Sequence, residues 1–178
     1  MSQEPDISKL IKMDSDFDSD LRVIAFILQE AASQNELLAR SNLALTRFNT
    51  LAPPSITVLK YLRFLRDKAK CSRACFIVAL IYIDRLLEKN TQISITPNTV
   101  HKLFLTSILT ASKFVTDLSY SNTTWASFGG VRTEEMNILE REFLFLLQFS
   151  LVISKDEYEK YDKELNSKSA MTFFRADE

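Results

Sequence analysis

The chain has two glycines, one tryptophan, one histidine and two cysteines among 178 residues. So few glycines leave no phosphate-cradling loop, and a single histidine excludes an HExxH-type metal motif and most acid–base constellations. No catalytic residue, no metal ligand set and no cofactor is expected. Cys71 and Cys75 stand one helical turn apart, which fits neither a CxxC redox motif nor a four-ligand zinc site, so both are read as reduced thiols. A basic surplus is lacking too, since 22 Lys and Arg against 23 Asp and Glu leave a formal charge of -1. Without excess cations to release counterions from a phosphate backbone, nucleic acid is not expected as a partner. The opening MSQEPDISKLIKMDSDFDSD lacks the apolar core of a signal peptide, and the longest apolar run, FIVALIYI, stops at Asp84, far short of a membrane span. The expectation is a soluble protein of the cytoplasm, the nucleus or both, with no membrane partner.

What the chain does have is hydrophobicity at helical spacing, in a composition of 46% hydrophobic and 25% charged residues that suits one globular domain. Residues 1–18 carry five acids and few large apolar groups, and read as a disordered acidic arm. Over residues 19–50, Leu21, Ile24, Ile27 and Leu28, then Leu37, Leu38, Leu45 and Phe48, predict one or two flanking helices. Pro53 and Pro54 break that pattern, and Ser55 can cap a first core helix whose apolar face is Ile56, Leu59, Leu62 and Leu65. Ser72 can cap a second, apolar nearly all round to about Glu88, as a helix surrounded by others must be. Thr96 and Pro97 open a third, over residues 98–114. SNTTWASF is a short fourth that ends at Gly129 and Gly130, where the backbone needs either a positive φ or a close approach. Thr133 caps a fifth with Glu134 and Glu135 set against the dipole, and Ser154 with Glu157 makes a capping-box spacing for a polar C-terminal helix and tail over residues 155–178. No alternating strand pattern persists. The fold class is therefore all-α: a five-helix bundle around a buried second helix over residues 52–154, with flanking N- and C-terminal helices.

Three charges interrupt otherwise apolar segments: Asp84 in YIDRLL, Lys113 in ILTASKFV and Glu140 in NILEREFLFLL. An ion entering an apolar interior costs several kcal/mol unless partnered. Asp84 can meet Arg63 or Arg66 of the preceding helix or turn to solvent, and Lys113 can pair with Glu140 unless each simply snorkels from an apolar face. His101, among polar neighbours near a helix start, is read as solvent-facing. The run Phe143 to Leu147 is too apolar for one face, so the fifth helix is either buried all round or leaves an apolar surface exposed.

These segments resemble a cyclin. YIDRLL is similar to the cyclin YLDRFL segment, LTASKF to LLASKF, and ILEREFLFLLQFSL to the closing acidic and apolar segment, in the same order and spacing. More narrowly, APPSITVLKYL, YIDRLL and SNTTWASFGGVRTEEMNILEREFL resemble the P/U-type cyclins, the group of the yeast phosphate-pathway cyclin and animal cyclin Y. The resemblance implies one cyclin box and a non-catalytic regulatory subunit, monomeric when free, whose partner is a cyclin-dependent protein kinase of the PCTAIRE or phosphate-pathway type. It further implies that Asp84 and Arg63 or Arg66 form an internal ion pair. By the same resemblance, Lys113 and Glu140 face the kinase's mobile C-helix, with Thr110, Phe114, Leu144, Phe149 and Leu151 as the apolar groove around it. Two departures stand out. Phe64 occupies the place where relatives usually carry the first-helix arginine, and the first helix lacks an MRAIL-type docking sequence. The alternative function is a cyclin-fold transcription or scaffold module without kinase binding, whose cue, clustered basic residues, is missing.

Overall fold

A computed structural model describes the backbone of residues 7–38, 46–117 and 119–175, and the side chains of residues 16–36, 46–117 and 119–169. Among the described residues every regular element is a helix: α1 (Ile7–Leu38), α2 (Val58–Ala69), α3 (Arg73–Lys89), α4 (Val100–Val115), α5 (Asn122–Gly129), α6 (Thr133–Leu146) and α7 (Lys155–Arg175).

α3 is the helix that the others surround. Cys75, Phe76, Ala79, Ile81, Tyr82 and Leu86 are each 0% exposed, and α4, α6 and α7 pack along it. Such all-round burial lets Ile, Val and Phe occupy every face except one stripe, where Asp84, Arg85 and Glu88 stand. α4 lies against α3 with small hydroxyl residues between them, and the buried Ser107 hydroxyl donates to the Ala79 carbonyl at 2.7 Å. α2 rests on α1, α4 and α5. α7 closes the other side against α1 and α3.

Local chemistry explains most of the element ends, with small shifts from expectation. α2 is capped by Thr57, not Ser55: the Thr57 hydroxyl accepts from the Lys60 N–H at 3.3 Å. α4 begins at Val100, because Thr96 and Pro97 form a preliminary turn in which the Thr96 N–H donates to the Thr99 hydroxyl at 2.8 Å. Ser121 caps α5 and Arg132 takes the cap position of α6, so Thr133 is its first helical residue. Both glycine expectations are met, one at each residue. Gly130 has φ 64°, and a Cβ on Gly129 would stand 2.2 Å from a Leu105 methyl, so α5 approaches α4 as closely as a bare backbone allows.

Two expectations fail outright. The acidic stretch 1–18 is helical from Ile7 onward, since Phe17 packs edge-on against Phe76 at 5.3 Å and Asp18 is held by arginines; residues 1–6 lie outside the described ones. His101 does not face solvent: its Nε2 is 3.0 Å from the Ile56 carbonyl and its ring tilts against Tyr61 at 5.1 Å.

Candidate partner-docking face

Lys113 stands in the last turn of α4, and Glu140 in the middle of α6. Their elements bring Nζ and Oε1 to 2.7 Å, with Lys113 35% and Glu140 17% exposed. A third side chain completes the arrangement. Asn122, the first residue of α5, accepts from Lys113 Nζ through Oδ1 at 2.7 Å and donates through Nδ2 to Glu140 Oε2 at 2.7 Å and to Asn137 Oδ1 at 2.8 Å. Lys113 keeps one N–H free of these three side chains. Both carboxylate oxygens of Glu140 are engaged, each with lone-pair capacity left. The group can thus offer one charged donor and charged acceptors to a partner at the same time.

Apolar side chains continue from this pair. Leu144 lies one turn beyond Glu140 on the same side of α6, half-buried, and Phe114 follows Lys113 with half of its surface exposed. Phe149 is 58% and Phe145 63% exposed, their rings edge-on at 5.4 Å, while Leu151 is half-buried. Thr110 differs from the rest of the expected groove: it is 3% exposed and donates to the Thr106 carbonyl inside α4, so it lies beneath the surface. Gln148 and Phe149 both have φ 54°. Side-chain-bearing residues in that region carry a cost on the order of 1 kcal/mol each, and such strain gathers at functional surfaces.

The strained segment is held by side chains from the second half of α3 and from its C-cap, Asn90. Tyr82 donates to the Leu151 carbonyl, Arg85 to those of Ser150 and Val152, Lys89 to that of Leu147, and Asn90 to that of Leu146, at 2.7 to 3.1 Å. Arg85 also makes a forked pair with Glu157 at 3.1 and 2.6 Å. The Leu147 carbonyl also accepts from the Ser150 N–H at 3.1 Å, so Tyr82, Arg85, Lys89 and Asn90 of YIDRLLEKN add to a backbone that α6 no longer bonds. The sequence reading missed Arg85; its only signal was a second charge beside Asp84.

The expected ion pair of Asp84 with Arg63 or Arg66 is not formed. Arg63 holds Asp18 of α1 through two bonds at 2.7 Å, and Arg66 reaches the same carboxylate at 3.5 Å and Asp67 at 2.8 Å. That environment holds the Asp18 carboxyl below its ordinary pKa, chiefly through Arg63. Asp84 instead leaves α3 on the side of α7, where it accepts from the Tyr161 hydroxyl at 2.8 Å. Asp84 stays exposed, but partial desolvation beside α7, with Glu88 and Glu164 nearby, pushes its pKa up, and the Tyr161 bond partly offsets this.

A cleft of about 370 Å³ opens elsewhere on α6, between Arg47, Ile138, Arg141 and Phe145, and includes neither Lys113 nor Glu140. Among the described residues no group of His, Cys, Asp and Glu is arranged to hold a metal, and no helix is long and apolar enough to cross a membrane.

Comparison with known proteins converges on one family. The cyclin family model matches residues 23–151. Cyclin-U4-2 of Arabidopsis thaliana is 36% identical over 154 residues, covering 85% of this chain and 71% of that protein. Cyclin-U4-1 of the same plant is 37% identical over 146 residues, 79% of this chain and 72% of that protein. Cyclin-P4-1 of Oryza sativa subsp. japonica is 35% identical over 151 residues, 82% and 71% of the two chains.

Proposed function

The chain belongs to the cyclin family, and from that premise we propose that it is a non-catalytic regulatory subunit that binds and activates a cyclin-dependent protein kinase. Similarity to proteins named Cyclin-U and Cyclin-P supports a kinase of the PCTAIRE or phosphate-pathway type as the partner. The free chain is a monomer in this reading, and the complex works in the cytoplasm, the nucleus or both.

The observation that carries the proposal is the paired Lys113 and Glu140, partly exposed at the junction of α4, α5 and α6, with exposed Phe114 next to Lys113 in the chain and exposed Phe149 just past the end of α6. A lysine N–H suits a backbone carbonyl and a carboxylate suits a backbone N–H, so the pair can grip the main chain of a kinase helix end while the aromatic rings receive its apolar side chains. Activation then needs no chemistry from the cyclin. Binding the active kinase arrangement more tightly is sufficient, and moving a kinase from nearly all inactive to nearly all active takes a difference of about 5.5 kcal/mol.

The test is retention of cyclin-dependent kinases on immobilised protein, wild type beside Lys113→Ala/Glu140→Ala, with kinase activity assayed in the eluate. Wild type should retain one kinase in active form, and the double variant should bind it about a hundredfold more weakly, as expected when two charged interface groups of about 1.5–3 kcal/mol each are lost. Equal retention, or none by wild type, would show that this face does not dock a kinase.

A further inference from the structure

Resting on that reading, we infer that Asn122 is a positioning residue for the docking pair: it holds Lys113 and Glu140 in one pose before the kinase arrives. Each of the three side chains bonds the other two, at 2.7 Å along every side of the ring. The orientation of the amide is dictated by its partners. Lys113 can only donate and Glu140, ionised, can only accept, so Oδ1 must face the ammonium and Nδ2 the carboxylate. Both N–H groups of the amide are used, the second on Asn137 Oδ1 at 2.8 Å. Asn137 lies three residues before Glu140 on α6, so the ring is tied to that helix at two points.

The backbone under Asn122 is itself anchored. Ser121 caps α5, with its hydroxyl accepting from the Thr124 N–H at 3.4 Å, and the helix is held by Trp125 at 0% exposure and by the close approach of Gly129 to Leu105. Lysine has one of the most flexible side chains, and a group that must be immobilised on binding lowers affinity by the entropy it loses then. A lysine already bonded to two neighbours has lost most of that freedom beforehand. A carboxylate touched only by lysine could swing about one contact; Asn122 on its second oxygen prevents this.

The experiment is a double-mutant cycle on affinity for the kinase retained in the pull-down above, in the full chain. Asn122→Ala should weaken binding about tenfold, the usual effect of losing hydrogen bonds to charged groups, while in the Lys113→Ala background the same change should cost little. Asn122→Asp should weaken binding at least as much, because it sets a second carboxylate against Glu140 and removes both N–H donors, while an acid at the start of α5 suits the helix dipole and offsets part of the cost to folding. A purely structural role for Asn122 would lower the unfolding midpoint and cost the same affinity with or without Lys113. Wild-type affinity for Asn122→Ala, or a full tenfold loss persisting without Lys113, would each overturn the inference while the kinase reading stood. If Lys113→Ala/Glu140→Ala binds like wild type, the kinase reading fails and the inference falls with it.

Discussion

His101 carries a pH dependence that its neighbours explain. Its Nε2 is committed to the Ile56 carbonyl at 3.0 Å, and its Nδ1 is buried with no partner among the described residues. A proton added at Nδ1 would create a buried donor with nothing to accept it, so burial lowers the pKa, with the carbonyl partly opposing. The unfolded chain therefore takes up the proton at a higher pH than the folded one, and folding stability falls as pH drops below the ordinary histidine value of about 6.5. Urea unfolding followed between about pH 7 and 5 should show wild type losing stability relative to His101→Gln, which keeps a donor for Ile56 but cannot titrate. Parallel curves for the two proteins would mean the ring is hydrated. Residue by residue, the sequence made clear which groups need partners and not which partner each finds. Asp84 illustrates this: an ion beside YI and LL demands a hydrogen bond, yet two arginines and one tyrosine compete, and the sequence does not say that Arg63 is already taken by Asp18.

At the level of elements, the α4–α5 contact depends on the absence of one atom. Leu105 is 1% exposed, and its methyl occupies the space where a side chain on Gly129 would begin. Gly129→Ala must displace Leu105 or push α5 outward, a forced fit that should cost about 1–3 kcal/mol in denaturant unfolding. An alanine variant as stable as wild type would show that α5 has slack against α4, and with it the placement of Asn122. This contact was half legible: two adjacent glycines in a chain with no others signal a backbone requirement, and the capping residue Ser121 marks where α5 begins. The stretch from Leu146 to Val152 was not legible at all. No glycine marks its positive φ angles, because side-chain donors from α3, 56 to 69 residues earlier in the chain, supply the bonds that hold it.

Across the whole molecule, one side chain joins the beginning of the fold to its end. Arg73, at the start of α3, bonds Asp20 of α1 and Asp162 and Asn166 of α7, and Asp20 also receives the Ser169 hydroxyl at 2.7 Å. Asp20 is 3% exposed in its side chain, so removing its cation leaves a buried carboxylate with little compensation. Arg73→Ala should destabilise the protein by about 3 kcal/mol and increase amide exchange in α1 and α7 before the α2–α6 bundle. If exchange rises evenly from α1 through α7, the two terminal helices are not a separable layer. The amino-acid sequence by itself determined the helical class, the buried central helix, the limits of most helices, and that Lys113 and Glu140 each need a partner or solvent. Those follow from periodicity, capping and the cost of lone charges, which act over a few residues or on strongly patterned segments. Tertiary structure alone decided that the acidic stretch is helical from Ile7 and docks through Phe17 and Asp18, that Lys113 pairs with Glu140, that Arg85 holds the α6–α7 connection, and that Asn122 closes the ring around the docking pair. Each of these depends on a distance between groups remote in the chain, and a hydrogen bond is made or lost within about half an ångström.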